Sequence, residues 1–356
     1  VGESETNPAG QDQRIGRAVR PRGEPRHGEP LRRSVVRAAA LLLGTLAIAT
    51  AFVATHVGAL HDPRPRDVPV GVVRDDQPAR SLLAGVREQG RQLRPVGYAH
   101  RDAAEAALHR REIYALLTTG PDAPGLTLTT ATAASPAAAT TVTEIVTAAA
   151  ARAQIPLAVT DAVPVATADP RGLTPFYLAV GLVLGGYLGA AAIGISLGTV
   201  PHTPYRAVLR IGGLAWYAAL LGLAGALVTG PALGVWSRHL PSLVGAGALV
   251  AFAAAMAASA VQGWLGLVGT GLVILLLVVL GNPGSGGIYP PEFLPAFFRD
   301  MHRWNIPGLA TDLIRSVLYF PPGAARWPAA TLGIWAGAGM LVLLAATAVL
   351  GRPRTR

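Results

Sequence analysis

The chain has 356 residues, of which 51% are hydrophobic and 14% charged, with a net charge of +10. That balance excludes an ordinary soluble domain, and the absence of cysteine excludes disulfides and thiolate metal sites. All 30 basic residues are arginine, so there is no lysine to complete a P-loop, and an ATP-hydrolysing site of that kind is excluded.

Residues 1–34 mix Pro, Gly, Glu and Arg without apolar periodicity, which predicts a disordered, Arg-rich cytosolic tail. The first residue is valine, which reads as a fragment or a non-standard start codon. Residues 35–60 form the first apolar run. It is longer than the apolar core of a cleavable signal and follows a long basic stretch, so it reads as an uncleaved signal anchor running from inside to outside.

Residues 61–172 read as a small extracytoplasmic α/β domain. Strand character is expected over Asp67–Val73 and Leu93–Tyr98, and helices over Ser81–Gln89 and Asp102–Arg111, with Ala103, Ala106, Ala107 and Leu108 turned inward. Ile113–Thr118 and Gly125–Thr130 suggest a hairpin around the Gly120–Gly125 turn. An Ala/Thr-rich helix covers Ala137–Ala153, and Ala131–Thr141 reads equally as a flexible loop. Alternating strands and helices imply layered α/β architecture.

Residues 173–350 carry five further apolar runs: Thr174–Leu197, Ile211–Thr229, Leu243–Ala260, Trp264–Leu280 and Ala329–Leu350. Each is read as a span, since about 20 apolar residues cross roughly 30 Å of hydrocarbon. The fold class expected is therefore an α-helical polytopic membrane protein with six transmembrane helices and the α/β domain between the first and second. Gly181, Gly185 and Gly189 recur every four residues and predict a helix-packing seam. The stretch 198–210 reads as a cytosolic loop bearing Tyr205, Arg206 and Arg210. Trp236, Arg238 and His239 fall in a short outer loop, and Gln262 and Gly263 mark a tight inner turn. Residues 351–356 form a second basic cytosolic tail.

Arginines beside the first and last spans explain the net charge by the positive-inside tendency and by attraction to anionic lipid headgroups. No aromatic residues interleave them, so membrane lipids rather than nucleic acid are the expected partner. Within the spans ionisable groups are nearly absent, His56 being the main exception, which argues against a carboxylate proton relay. The eight histidines form no H-x-x-x-H pair, so no metal site and no cofactor are expected. Ser285 lacks a His and an acid in the order of a known hydrolase motif, so no enzyme activity is expected.

The stretch after the fifth run is richer. Asn282–Gly287 (NPGSGG) reads as a turn at a helix end. In the following segment Phe293, Leu294, Phe297, Phe298, Met301 and Trp304 load one face with apolar bulk. Arg299, Asp300, His302 and Arg303 load the other. This predicts an interfacial or re-entrant outer helix within 282–328. Pro307 restarts the chain toward a second helix, where Asp312 and Arg315 are spaced to pair at i, i+3.

The layout and the motifs NPxSGG, PEFLPxFFR and DLIRSVLYF together resemble the phage-infection-protein (YhgE/Pip) family, which is related to the permease subunits of type-2 ABC exporters. The resemblance spans roughly residues 35–350 and is most specific over Asn282–Phe320. It singles out Asn282, Pro283, Ser285, Gly286, Gly287, Leu294, Pro295, Phe297, Pro307 and Arg315 as the motif-bearing outer segment. It implies a homodimeric permease-like core in the bacterial plasma membrane. Residues 198–210 and 31–37 would then face a separate ATP-hydrolysing subunit. The alternative it leaves open is a non-transporting membrane scaffold or surface receptor, such as a secretion-system accessory protein.

Overall fold

The computed structural model describes residues 31–120, 125–236, 240–266 and 268–351. The expected tail over 1–30, the hairpin turn at 121–124, Arg238, His239 and the arginines after Gly351 lie outside them. Two compact units are distinguished, residues 1–47 and 48–356.

Helix α1 (Leu31–Leu60) takes in the last four residues of the expected tail. From Val35 to Leu46 its large side chains are exposed, which suits an apolar helix whose surroundings are lipid or another helix.

The α/β domain contains a five-stranded sheet in the order β2-β1-β3-β4-β5. Strand β1 (Val68–Val73) lies centrally and parallel to β2 (Leu93–Tyr98) and β3 (Ala115–Thr119). Its apolar run is buried because helices cover it, as parallel strands require. Helices α2 (Gln77–Gln89) and α3 (Arg101–His109) make the crossovers. Asp76 caps α2 by accepting from the Ala79 amide at 3.1 Å. On α3 the buried face is Ala104, Ala107 and Leu108; Ala103, expected inward, is exposed, because the stripe starts one residue later. Strand β4 (Leu126–Thr130) pairs antiparallel with β3, forming the expected hairpin. Helix α4 (Pro136–Arg152) then leads to β5 (Leu157–Asp161), parallel to β4. Sequence reading missed β5, an edge strand whose residues are mostly exposed and so carry no alternating pattern.

The rest of the chain is helical. Among the described residues five helices are long and apolar enough to cross a membrane: Arg33–Leu60, Thr174–Leu197, Pro204–Ala232, Leu240–Leu265 and Pro322–Leu350. Helix α7 (Leu240–Leu265) is the central one, packed by α5 (Thr174–Leu197), α6 (Pro204–Leu227) and α11 (Arg326–Leu350). Of its alanines, Ala251, Ala253 to Ala255 and Ala258 are completely buried. Small side chains on every face let several backbones approach one helix closely, which is where packing in lipid finds its dispersion energy.

The expected fifth span is divided differently. Helix α7 runs through Gln262 and Gly263 to Leu265, and the chain reverses at Gly266, whose φ is +62°. Gln262 is buried and donates from Nε2 to Thr270 Oγ1 at 3.1 Å, stapling α7 to its successor. That successor, α8 (Val268–Ile274), continues as a wider π-helical stretch to Leu280. Together they cover 13 residues, roughly 20 Å at helical rise, which is shorter than the hydrocarbon core. The Trp264–Leu280 run is continuous in composition, but its first residues complete α7.

Between α8 and α11 lie short elements. A 3₁₀ turn spans Pro283–Ser285 and another Pro291–Phe293, followed by α9 (Ala296–His302) and α10 (Ile306–Tyr319). Helix α10 packs against α5, α7 and α11. Most of its residues are buried, so it belongs to the core rather than to a surface loop.

Candidate functional site

Most of the motif residues singled out from sequence, Pro295 and Phe297 excepted, are brought together with the α/β domain around one buried polar junction. It begins at the NPGSGG turn. Gly286 takes a left-handed φ of +68°, which a β-carbon would strain. A β-carbon on Gly287 would run into the Phe176 ring of α5, so this turn is pressed directly onto a helix. Ser285 is buried and accepts from the Gly287 amide at 3.3 Å. Pro283 lies in the 3₁₀ turn after Asn282, whose amide donates to Val278 O at 3.3 Å. Thus the motif acts locally as a tight stop to the π-helical stretch.

The carbonyl of Gly284 points at two donors. His302 Nδ1 lies 3.0 Å from it and Asn305 Nδ2 3.2 Å. Asn305 also caps α10 by accepting from the Gly308 amide, and Pro307 sits in that helix's first turn. His302 Nε2 lies 2.9 Å from Asp312 Oδ2. Both ring nitrogens of His302 therefore face acceptors only, which is satisfied when the ring is doubly protonated. Burial alone would lower the His302 pKa; the Asp312 charge and hydrogen bond outweigh it and leave it raised.

Asp312 is the hub. Burial would raise its pKa, but Arg111 and then His302 hold it far below the carboxylate range. Arg111 reaches it from the α/β domain, 2.7 Å from Nη2 to Asp312 Oδ1. The same guanidinium donates to Asp312 O at 3.1 Å and Ser316 Oγ at 3.0 Å, and sits 5.7 Å above the Phe320 ring. Arg111 has a φ of +61°, an uncommon backbone state for a side-chain-bearing residue. A strained residue held by several partners is characteristic of a site whose surroundings over-determine it.

Two further ties reinforce the junction. Tyr114 donates to Glu292 Oε2 at 2.9 Å, and the Arg66 amide donates to Glu292 O at 2.9 Å. Phe293 inserts into the core of the α/β domain, while Leu294 and Phe298 pack with Ala59 of α1. Arg315, completely enclosed, donates to the carbonyls of Gly286, Gly287 and Gly172 at 3.2 to 3.5 Å. Burial, and then the nearby Arg111 charge, bring its pKa down to about 10, so it stays charged at neutral pH. The expected Asp312–Arg315 pair does not form: Asp312 turns to Arg111 and His302, while Arg315 turns to the glycine turn.

The expected two-faced helix over Glu292–Trp304 is likewise rearranged. Only Ala296–His302 is α-helical, because Pro295 forces its predecessor to be extended. His302 lies inward with Phe298, while Phe297 and Trp304 are each 59% exposed. Pro295 itself is exposed at the helix start.

Elsewhere, Gly185 and Gly189 meet Leu221 and Tyr217 of α6, and Tyr217 donates to Gly185 O at 3.0 Å. Gly181 faces open space, and the glycine of closest helix approach is Gly186, against the Ala251 carbonyl of α7. The expected loop at 198–210 is shorter, because α6 begins at Pro204, capped by Thr203 Oγ1 accepting from the Arg206 amide at 3.3 Å. Tyr205 and Arg206 are exposed. Arg210 is buried and donates to the carbonyls of Gly198 and Thr199, where it satisfies the end of α5.

Two cavities adjoin the junction. A polar one of about 850 Å³ lies between Arg110, Arg111 and Tyr114 on one side and α9 and α10 on the other. An apolar one of about 670 Å³ runs between α7, α8 and α11. Trp304 borders both. Sequence reading missed Arg111, His302 and Asp312 as one cluster, since Arg111 lies 201 positions from Asp312 and no local spacing joins them.

Because His302 has both ring nitrogens occupied, it has no free lone pair for a general base, and Ser285 is engaged with the turn. The arrangement holds two parts of the chain together and encloses space beside them. Comparison with protein-family models, curated proteins and solved structures finds no match for this chain.

Proposed function

We propose that this chain is the permease subunit of a type-2 ABC exporter-like system in a bacterial plasma membrane, moving a hydrophobic or lipid-linked solute with work supplied by a separate ATPase. In this reading six segments engage the bilayer, both termini are cytosolic, and the α/β domain lies outside. The observation that carries it is the apolar groove between α7, α8 and α11, whose rim residues Trp264, Leu265, Leu276 and Trp335 are 40 to 50% exposed. Such a groove admits an apolar chain sideways from lipid. No Asp or Glu occurs in the five long apolar helices, so energy conversion belongs to a partner. The exposed apolar face of α1 supports a homodimer, and the resemblance in Asn282–Phe320 supports the exporter class. Exposed Tyr205 and Arg206 are the residues offered to the ATPase.

A second reading, a non-transporting scaffold or receptor, is favoured by β5. It is an open edge strand with Val159 47% exposed, and such edges accept a partner's strand. Affinity capture of the detergent-solubilised chain from its own host separates them. The permease reading expects a nucleotide-binding subunit that is lost with Arg206→Glu. Recovery instead of a partner lost with Val159→Lys, with no such subunit, supports the scaffold.

A further inference from the structure

The polar cavity carries more positive charge than its own surroundings compensate. Five arginines and His302 line it, against Glu292, Asp300 and Asp312; of the five, Arg110 is paired outside this set with Glu112 at 2.7 Å. Asp312 is committed to Arg111 and His302, and Glu292 to Tyr114. Asp300 approaches Arg299 only at 3.7 Å and is itself exposed, so that pair is weak. Arg315 touches only backbone carbonyls. Among the described residues the Arg303 side chain has no hydrogen-bond or ion-pair partner; its backbone N–H donates to Met301 O. An anion entering the cavity would therefore meet guanidinium groups still free to donate, and charge-assisted bonds to phosphate oxygens are the strongest of that kind.

The apolar groove begins where this cavity ends. Trp304 forms the shared wall, its carbonyl accepting from Trp335 Nε1 at 2.8 Å and its ring edge-on to Trp327 at 5.8 Å. Tryptophans gather at headgroup depth in membranes. A charged compartment and an apolar compartment meeting at such a cluster match the two ends of one amphiphile. Both volumes lie within the roughly 300–1,000 Å³ usual for ligand sites.

We infer that cavity and groove form one binding site for an anionic phospholipid, with its phosphate between Arg299 and Arg303 and its hydrocarbon chain along α8. This deepens the permease reading and rests on the chain being membrane-embedded; it does not depend on an ATPase.

The test uses full-length protein in phosphatidylcholine nanodiscs doped with either brominated phosphatidylglycerol or brominated phosphatidylcholine, reading quenching of tryptophan fluorescence. Phosphatidylglycerol is expected to quench at a mole fraction on the order of tenfold lower, the size one or two charge-assisted bonds supply. Arg299→Gln with Arg303→Gln should remove that preference while leaving quenching by phosphatidylcholine. Ala338→Phe, which adds bulk at an exposed position on the groove wall, should reduce quenching by both lipids. Thermal melting shows that each variant is folded. Equal quenching by the two lipids overturns the inference in favour of ordinary boundary lipid. Abolition of the preference by excess inorganic phosphate, with Ala338→Phe without effect, overturns it in favour of a soluble anion. Loss of lipid preference with the ATPase still recovered refutes this inference alone. Retained preference without an ATPase refutes only the permease reading.

Discussion

Asp312 accepts from two cations that belong to different parts of the chain, so its protonation state sets whether they stay together. A group whose pKa rises on folding stabilises fully below its unfolded value. For His302 that contribution is complete below about pH 6.5 and is lost as pH climbs through the raised folded value. Asp312 behaves oppositely: its contribution is complete above about pH 3.9 and is lost only as pH falls through its much lower folded value. The thermal midpoint of the solubilised protein should therefore decline on the alkaline side, and His302→Gln should flatten that decline. A slope unchanged in the variant would assign it to other groups. Asp312→Asn should cost about 3–5 kcal/mol at neutral pH, because it leaves Arg111 and His302 enclosed without their counter-charge; denaturant unfolding checks it.

At the scale of elements, the glycines of α5 show how a repeat differs from a contact. Gly181, Gly185 and Gly189 share a helix face by spacing, yet only two of them meet α6, and Gly186 on another face meets the α7 backbone. Gly181→Ala should be neutral or stabilising by about 0.5–1 kcal/mol, since alanine is the better helix former and nothing lies in its way. Gly186→Ala should destabilise by about 1–3 kcal/mol, because the α7 carbonyl cannot retreat without moving its helix. Melting midpoints of the two variants in one detergent decide this, and equal effects would contradict the packing described. The same scale accounts for α8. A π-helical stretch and a Gly-rich stop shorten the fifth apolar run, and the turn after it presses onto Phe176.

For the whole molecule, the short α8 raises the question of how often the chain crosses the bilayer. Among the described residues five helices are long enough, and α8 with its extension is shorter. If α8 and the elements after it complete a sixth crossing, both ends lie on one face; otherwise they lie on opposite faces. The absence of native cysteine makes this directly measurable. Ser34→Cys and Thr355→Cys should both label only from the cytosolic side, and exposed Ser81→Cys only from outside. Labelling of the two tails from opposite sides would eliminate the six-crossing arrangement and, with it, the exporter-like core.

Apolar runs and strand-helix alternation were legible in the amino-acid order because each is a local property: hydropathy over some twenty residues, or a period of two or 3.6. That is why α1, β1 to β4 and the long helices lie close to where composition places them. The edge strand β5 escaped because exposure on both faces leaves no period to read. The segment Asn282–Phe320 was singled out by its motif resemblance, and the structure places part of it against the α/β domain. What only the tertiary structure decided is which of those residues meet. Arg111 and Asp312 stand 201 positions apart, His302 lies inward rather than on the polar face, and Arg210 donates to the carbonyls at the end of α5. Pairings of this kind depend on how separate helices and the sheet are brought against one another, and no local pattern in a chain encodes the neighbour that a buried charge will find.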